Sequence, residues 1–351
     1  MRVINKIKFV FYQINERIIW WKRIKMPLGR KAFVIGSPEY SNLGDSAITI
    51  AEMLFLKKCG YSRSHIKEFT QSEYTRNLVY FARYLGKSHL ICGVGGGNMG
   101  NLWYPEELFR YSFIDAFPDN PIIIFPQTIY FTEDEQGRRA QEKSVDHYDK
   151  HKRLTIVARE QKTFEIMTGL YQNAKILPVP DIVLSTKMED YGVSAGKRLG
   201  ALLVFRSDKE KVVSDEDKEE IQKYFKKHSF PFHCTDMYAS VPVTKENRMV
   251  LVRSKMQEFA DSKIVITDRL HGMIFSVITN TPCVVFGNNH HKIKGTYEWL
   301  SYLPSINFVQ SADEAIKVIP SLLEMQNCKY DNQPLIEKYQ ALAKEIGSYV
   351  D

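Results

Sequence analysis

The chain has 351 residues, of which 44% are hydrophobic and 25% charged, proportions that are ordinary for a globular protein and exclude a disordered or fibrous one. Its length suits two domains, and no stretch reaches the ~20 continuous apolar residues that a membrane-spanning helix needs. Residues 1–31 carry nine Lys or Arg and one acid, whereas the remainder carries 39 basic and 40 acidic residues. Because the body is nearly neutral, we expect no nucleic-acid partner.

The five cysteines form no CxxC pair, and their number is odd. The N-terminus also lacks the pattern of a signal peptide with a cleavage site. These features favour reduced thiols in a cytoplasmic protein.

Residues 1–31 predict a basic amphipathic helix. Apolar residues recur at steps of three and four, namely Val3, Ile7, Val10, Ile14, Ile18 and Trp21. Trp20 and Trp21 stand beside Lys22 and Arg23, a combination typical of helices that lie in the surface of an anionic membrane. We therefore expect membrane contact through residues 1–25. The alternatives are a helix that docks on the protein's own body and a mitochondrial presequence.

The first half of the body, residues 32–190, alternates apolar runs with helical periodicity. Strands are predicted at 32–36, 89–94, 121–126, 154–158 and 175–177. Helices are predicted at 46–58, 75–86, 134–150 and 160–171.

The second half, residues 191–330, follows a polar segment, 185–199, that we interpret as a linker. Strands are predicted at 200–205, 230–233, 263–267, 283–286 and 307–309. Helices are predicted at 214–227, 244–260, 272–279 and 312–325. A last helix in residues 331–351 could cross back onto the first domain.

This alternation predicts an α/β fold of two Rossmann-like domains, each with a parallel, doubly wound sheet, facing a cleft. Ligands bind such sheets at the carboxyl ends of the strands, so the loops that follow the strands are the candidate site.

Three loops of the first half carry candidate residues. Asn42-Leu43-Gly44-Asp45 precedes a helix, where Asp45 could simply be the N-cap or could face a ligand. Gly93 to Gly100 contains Gly97 and Asn98 and lacks a dinucleotide fingerprint, so it is either a tight turn or a ligand-facing loop. Arg159 ends a strand and suits an anion, although a surface pair with Glu160 would explain it equally.

Three loops of the second half add further candidates. Arg206 follows a strand and could point inward. Asp268-Arg269-Leu270-His271-Gly272 places a fixed cation and a group that titrates near neutrality at the start of a helix, an arrangement that favours an anion site with a proton donor. The loop 288–295 is polar and basic. Its two histidines lack the neighbouring Cys or acid of a metal site, so we interpret it as an anion-contacting loop.

These motifs occur in one order: NLGDSA at 42–47, GGGN at 95–98, FPQT at 125–128, ARE at 158–160, PD at 180–181, FRSDKE at 205–210, TDRLHGM at 267–273 and PCVVFGNNHHKIKGTYEWL at 282–300. Over about residues 32–300 the chain resembles the bacterial polysaccharide pyruvyltransferases of exopolysaccharide biosynthesis. The resemblance implies a GT-B-like fold and transfer of pyruvyl from phosphoenolpyruvate to two hydroxyls of a sugar, as a cyclic ketal. It implies no metal or organic cofactor.

The resemblance also implies residue roles. Donor-binding residues would be Arg159, Arg269, His271 and Lys292, with Lys294 as the rival lysine. Apart from the resemblance, the loops that follow the strands supply the candidate acceptor or cleft residues, which are Asn42, Asp45, Gly97, Asn98, Gln127 and Arg206. From the chemistry, His271 is the candidate general acid for C3 of the enol, or else the hydrogen-bond donor to the phosphate, with Arg269 beside it. Asp45 and Asp268 are candidate bases for the sugar hydroxyl, although capping of the following helix would also explain Asp268.

If the sugar acceptor is a lipid-linked precursor at the inner face of the plasma membrane, the N-terminal helix would bring the enzyme to that acceptor. Two other interpretations stay open at this stage. One is a glycosyltransferase of the same fold that uses a nucleotide sugar, and the other is a non-catalytic sugar-binding relative.

Overall fold

The structure, a computed structural model, describes residues 17–206, 213–287, 291–325 and 328–350, without the side chain of residue 291. Two parallel sheets form its two halves. The first sheet comprises β1 (Ala32–Ser37), β2 (Ile66–Thr70), β3 (Leu90–Gly93), β4 (Gly96–Gly100), β5 (Ile122–Tyr130), β6 (Leu154–Ala158) and β7 (Lys175–Pro178). Their order is β2-β1-β3-β5-β6-β7, with β4 paired to β5.

The helices of the first half lie between these strands. They are α1 (the described part covers residues 17–25), α2 (Leu43–Lys58), α3 (Gln71–Arg76), α4 (Leu78–Tyr84), α5 (Tyr104–Ala116), α6 (Glu135–Tyr148) and α7 (Gln161–Leu170).

The second sheet has the order β12-β11-β10-β8-β9, and every pairing in it is parallel. Its strands are β8 (Ala201–Val204), β9 (Phe232–Thr235), β10 (Ile264–Thr267), β11 (Cys283–Phe286) and β12 (Ile306–Val309). Its helices are α8 (Asp215–Lys227), α9 (Arg248–Ala260), α10 (Leu270–Ile278), α11 (His291–Leu300) and α12 (Ala312–Glu324). The predicted fold class is confirmed, because both halves are parallel α/β sheets.

Both sheets reverse their strand order at the centre, next to β1 in the first and next to β8 in the second. Such switch points leave a crevice at the carboxyl ends of the strands. Helix α2 packs against α9, and apolar side chains of both belong to one continuous core. The two switch points are therefore held facing each other.

Helix α13 (Ile336–Gly347) returns to the first half. The Tyr339 hydroxyl donates to the backbone oxygen of Asp181, at 2.8 Å, and Lys175 on β7 pairs with Glu345. Glu345 also accepts a hydrogen bond from Thr155 on β6, at 3.2 Å. The chain thus crosses between the two halves twice, once after β7 and once after α12.

The described part of α1 docks on the first half. Trp20 stacks on Phe69 with ring centroids 5.5 Å apart, and Ile24 is fully buried. Arg23 lies over the Phe69 ring and bonds Glu73. This supports the docking alternative for residues 17–25, while the predicted stripe from Val3 to Ile14 lies outside the described residues. Within the described ranges, no helix has both the length and the apolar character that a membrane crossing requires.

Four elements were missed in the sequence. Strand β2 is short, with half-buried Lys67 and Glu68, and β4 is made mostly of glycine and polar residues. Helix α5 buries Glu107 and Arg110 alongside its apolar residues, which obscures its periodicity. Helix α11 starts within the polar segment that we interpreted as a loop.

Candidate active site in the cleft

A cavity of about 400 Å³ lies between the two halves, at the carboxyl ends of their strands. Its volume suits a small-molecule ligand. The first half lines it with Tyr40, Asn42, Asp45, Gly97, Asn98, Trp103, Glu106 and Arg159, and the second half with Arg206, Met237, Tyr238, Arg269, Leu270, His271 and Lys292. Nine of the twelve residues selected from the sequence line this cavity. Gln127, Asp268 and Lys294 do not.

Gln127 lies inside the first sheet. Strand β5 continues to Tyr130 because β4 pairs with its end, so Gln127 is fully buried rather than in a loop. Its side-chain amide donates to the backbone oxygen of Val94 at 2.8 Å. The backbone N–H of Gly95 donates to Glu52 at 2.7 Å, and burial raises the pKa of that carboxyl well above its usual range. Gln127 therefore supports the glycine-rich turn from behind.

Asp268 is buried and fixes the backbone next to the cavity. Its Oδ1 accepts from the Arg206 N–H at 2.8 Å, which holds the end of β8. It does not cap α10, because the N-cap residue of that helix is Arg269 and the hydrogen bond of Asp268 goes to Arg206. Burial raises the pKa of Asp268 to about 6. The capping interpretation is thus wrong, and Asp268 positions Arg206.

Arg159 faces the cavity from the end of β6, with a guanidinium that is almost fully buried. Its Nε and Nη2 donate to Oγ1 of Thr128, and its Nη1 donates to Asp181 at 3.1 Å. The Glu160 carboxylate is also buried, 3.7 Å from Nε of Arg159. The alternative of a surface pair is therefore wrong, and Arg159 is held rigid by three neighbours.

His271 lies in the first turn of α10 and reaches the first half. Its Nε2 is 3.5 Å from Oδ2 of Asp181. Although burial opposes ionisation, His271 and Arg159 together lower the pKa of Asp181 to about 2. On the other side, a Cβ at Gly44 would lie 2.5 Å from Nδ1 of His271. Gly44 is therefore the residue that lets the imidazole enter between the two halves.

Arg269 is oriented by Asp236, which follows β9, two strands away from β10 in the sheet. Its Nε and Nη2 donate to the two carboxylate oxygens of Asp236, each at 2.7 Å. Its guanidinium carbon also lies 5.2 Å from the centre of the Tyr238 ring. A bidentate pair of this kind fixes the plane of the guanidinium as well as its position.

Lys292 lies in the first turn of α11 and lines the cavity, whereas Lys294 is exposed to solvent. The Cδ of Lys292 would be 3.9 Å from a Cβ at Gly97, across the cleft. Two contacts seat the helix on the first half. Trp299 donates to the backbone oxygen of Arg159 at 2.9 Å, and a Cβ at Gly295 would lie 2.8 Å from Cβ of Glu160. The geometry selects Lys292 over its rival.

Asp45 is not the N-cap of α2, because Asn42 takes that role. Oδ1 of Asn42 accepts from the Gly44 N–H at 2.9 Å, and its backbone pairs with Tyr238 across the cleft. Asp45 lies in the first turn and lines the cavity. Burial raises the pKa of Asp45, although His271 and Tyr40 act in the opposite direction. A carboxylate with a raised pKa is a stronger base than an exposed one.

A buried network holds Asn98 at the cavity wall. Its Oδ1 accepts from Nη2 of Arg110 at 2.7 Å. Arg110 pairs with Glu107, which also accepts from Tyr148 at 2.5 Å and from the Gly100 N–H at 3.1 Å. This network fastens β4 to α5, so the glycine-rich segment is a short strand rather than a tight turn.

Sequence reasoning missed several residues of the site. Asp181 and Asp236 each follow a strand, the signal that selected Arg159 and Arg206, but neither was given a role. The aromatic residues and Glu106 gave no comparable signal, because their approach to the cavity depends on the packing of the two halves. These aromatic residues are Tyr40, Trp103 and Tyr238.

Comparisons with known proteins show the family and the fold of the chain. A sequence model described as polysaccharide pyruvyl transferase matches residues 42–290. General stress protein 30 of Bacillus subtilis is 33% identical over 320 residues, 88% of this chain and 91% of the relative. Pyruvyl transferase 1 of Schizosaccharomyces pombe is 24% identical over 317 residues, 86% and 77% of the two chains. The UDP-GlcNAc 2-epimerase of Methanocaldococcus jannaschii shares the fold, with a TM-score of 0.52 at 8% identity over 90% of this chain and 98% of that one.

Proposed function

Because this chain belongs to the polysaccharide pyruvyl transferase family, we propose that it transfers a pyruvyl group from phosphoenolpyruvate to two hydroxyls of one sugar. The acceptor belongs to an exopolysaccharide or its lipid-linked precursor, and the products are a cyclic ketal and inorganic phosphate. One observation carries the proposal: Arg159, Arg206, Arg269, His271 and Lys292 converge on one cavity from four separate junctions between a strand and a helix.

The cations suit the donor. Phosphoenolpyruvate carries a carboxylate and a phosphate on a three-carbon frame, so its recognition needs several cations at fixed positions. Arg159 and Arg269 are each oriented by a carboxylate of their own. Lys292 adds a point charge from the start of α11, where backbone N–H groups also favour an anion. A small dianion or trianion is the ligand that this set fits.

His271 is the proposed general acid. Protonation at C3 of the enol makes C2 oxocarbenium-like, and one sugar hydroxyl then forms a bond to C2. Loss of inorganic phosphate gives a second oxocarbenium ion, which the second hydroxyl closes to the ketal. The ionised Asp181 carboxylate, 3.5 Å from Nε2, stabilises the imidazolium that begins the sequence.

Asp45 is the proposed base for the sugar hydroxyls. It lines the cavity, and the buried Asp268 does not. Two protons leave the sugar. One replaces the proton given to C3, and the other leaves with phosphate, so the atoms and charges balance without an oxidant or reductant.

The decisive test incubates the purified protein with phosphoenolpyruvate and candidate lipid-linked or nucleotide-linked sugars. We expect phosphate release together with a product heavier by one pyruvate less water, measured by mass spectrometry. Release of a nucleotide from a nucleotide sugar, with phosphoenolpyruvate untouched, would instead identify a glycosyltransferase. Binding without any turnover would identify a non-catalytic relative.

We further propose that the enzyme works at the cytoplasmic face of the membrane through α1. The helix buries Trp20 and Ile24 but leaves Ile18, Ile19 and Trp21 exposed, each with over two-fifths of its surface open. The basic residues of 1–31 flank this exposed face in sequence. An apolar face with a basic rim suits an anionic lipid surface.

This proposal is tested by replacing Ile18, Ile19 and Trp21 with serine in the full-length chain. The variant should no longer sediment with vesicles containing anionic lipid, while its activity on a water-soluble acceptor stays normal. Val79→Ser is the matched control, because Val79 is highly exposed on α4. Unchanged sedimentation of the triple variant would show that α1 serves only to dock on the body.

A further inference from the structure

Three exposed aromatic side chains line the mouth of the active-site cavity. Tyr40, Trp103 and Tyr238 are 45%, 40% and 46% exposed, respectively. Among the described residues only two other aromatics, Trp21 and Tyr302, are as exposed or nearly so, and neither lines the cavity. Exposed large apolar side chains gathered at one cleft mark a binding surface rather than a folding requirement.

Two of the aromatic side chains, Tyr40 and Trp103, occupy the same wall as the carboxylates, whereas Tyr238 belongs to the second half. Asp45 and Glu106 both line the cavity, and burial raises the pKa of each, while the Asp45 carboxylate raises the pKa of Glu106 further. Tyr40 lies beside Asp45 closely enough that burial and this carboxylate together raise the pKa of its hydroxyl. Aromatic faces with carboxylates beside them fit a sugar, whose C–H bonds pack on a ring while its hydroxyls donate to oxygen.

The structure holds the aromatic residues in defined places. Trp103 directly precedes α5, which is fastened by the buried Glu107–Arg110 pair. Tyr238 pairs its backbone with Asn42 across the cleft and lies next to the donor cation Arg269. Tyr40 stands in the loop before α2. The aromatic wall and the cationic wall are therefore parts of one preformed cavity.

We propose that Tyr40, Trp103 and Tyr238 form the acceptor subsite, which stacks on a pyranose ring and presents two of its hydroxyls to Asp45. The proposal deepens the proposed pyruvyl transfer and rests on it for the identity of the reaction. Tyr238 belongs to the second half and lies beside the donor cation Arg269, whereas the loops before α2 and α5 lie on the opposite wall from most donor contacts. A mutation in those two loops changes acceptor binding and leaves phosphoenolpyruvate binding intact.

The test titrates the full-length protein with methyl glycosides of galactose, glucose and mannose by ligand-observed NMR. It titrates phosphoenolpyruvate separately by calorimetry. Trp103→Ala and Tyr238→Ala should each weaken binding of the preferred glycoside about tenfold or more, since one stacked ring is lost. Trp103→Phe should retain it within about threefold, because a ring remains. The control is Tyr302→Ala, which removes an exposed aromatic outside the cavity.

The outcomes separate this inference from the proposed function. If the wild type makes a ketal but Trp103→Ala leaves the acceptor KM unchanged, the subsite is wrong and the reaction stands. If glycoside binding depends on Trp103 but phosphoenolpyruvate is never consumed, the subsite stands and the reaction is wrong. Failure of every glycoside to bind the wild type, or displacement of the glycoside by uridine or adenosine stacked on Trp103, overturns the subsite.

Discussion

The two walls of the cleft differ in charge. The first half lines the cavity with two carboxylates, Asp45 and Glu106, together with amides and aromatic rings. Its guanidinium, Arg159, is already paired with Asp181. The second half lines it with Arg206, Arg269, His271 and Lys292, and among the described residues it contributes no carboxylate to the lining.

This difference separates two tasks. Strong binding of a multiply charged donor needs cations, whereas removal of protons from a neutral sugar needs carboxylates. Placing the two sets on opposite walls keeps the carboxylates from repelling the donor. The fold then brings the reacting atoms together where the walls meet, at the contact of His271 with Gly44.

The largest effect is expected at that meeting point. His271→Ala should lower turnover about 1,000-fold or more, because the proposed acid is lost at the first step. Phosphoenolpyruvate binding, measured by calorimetry, should weaken far less, since the arginines and Lys292 remain. A melting temperature close to that of the wild type serves as the folding control. Near-normal turnover would remove His271 from the mechanism.

Asp45→Asn tests the acceptor wall, with Asp268→Asn as its matched control. Loss of the base should lower kcat about 100-fold, whereas Asp268→Asn keeps an oxygen for the Arg206 N–H and should cost only a few-fold. Because the base acts only when deprotonated and its pKa is raised by burial, kcat of the wild type should fall on the acid side at a pH above the ordinary aspartate range. Equal losses of kcat in the two variants would contradict the assignment of Asp45 as the base.

The donor wall is tested by two variants on helix α11, Lys292→Ala and Lys294→Ala, whose positions are two residues apart. Lys292→Ala should raise the KM for phosphoenolpyruvate about 10-fold to 100-fold, because a cation that lines the cavity is lost. Lys294→Ala should leave it within about twofold, since an exposed charge contributes little. Steady-state kinetics with varied donor concentration measures both. The reverse ranking would exchange the roles of the two lysines.

Gly44→Ala tests the contact between the walls without touching a polar group. The added methyl would collide with the imidazole of His271, so kcat should fall about tenfold while both substrates still bind. Gly169→Ala is the control, because a Cβ there meets nothing within 4 Å and the residue is also helical. If Gly44→Ala is as active as Gly169→Ala, the close approach does not fix His271.

Asp268→Asn, which should lower kcat only a few-fold, has a clear signature in the free energy of unfolding. Burial raises the folded-state pKa of Asp268 to about 6, so between about pH 4 and pH 6 the folded state binds more protons than the unfolded state. This group therefore contributes less stability as pH rises through that window. Asparagine does not titrate, so the variant lacks this loss. The free energy of unfolding of the variant minus that of the wild type should therefore increase from pH 4 to pH 7, by about 3 kcal/mol at most. Denaturant unfolding at several pH values measures this gain, and a constant difference would contradict the assignment.

The sequence predicted those parts of the fold that consist of continuous apolar runs, such as LTIVA on β6 and CVVF on β11. Helix α11 was missed because Gly295 and three basic residues interrupt its pattern, although Ile293, Thr296 and Leu300 form its buried face. The cations at strand ends were predictable, since a charge directly after an interior strand must lie at the carboxyl edge of the sheet, where ligands bind. Their partners Asp181 and Asp236 were not assigned, because pairing depends on the order of the strands in each sheet. Asp181 follows the strand next to that of Arg159, whereas β8 separates the strands of Asp236 and Arg269.

The two tryptophans of α1 show the same limit most plainly. Trp20 and Trp21 are adjacent in sequence and equally apolar, yet Trp20 is buried on Phe69 whereas Trp21 is largely exposed. Consecutive helical residues point about 100° apart, so periodicity defines a face but not what covers it. Which tryptophan is buried depends on which face of α1 packs against the first half of the molecule.

The double crossing of the chain between its halves restricts how this enzyme opens. Two lobes joined by one strand can swivel about it, but two separate connections define an axis that permits bending and opposes twisting. Helix α13 is anchored beside Asp181, the carboxylate that faces both Arg159 and His271. The backbone pairing of Tyr238 with Asn42 also ties the two halves together, so any opening of the cleft at Tyr238 must first break that pairing.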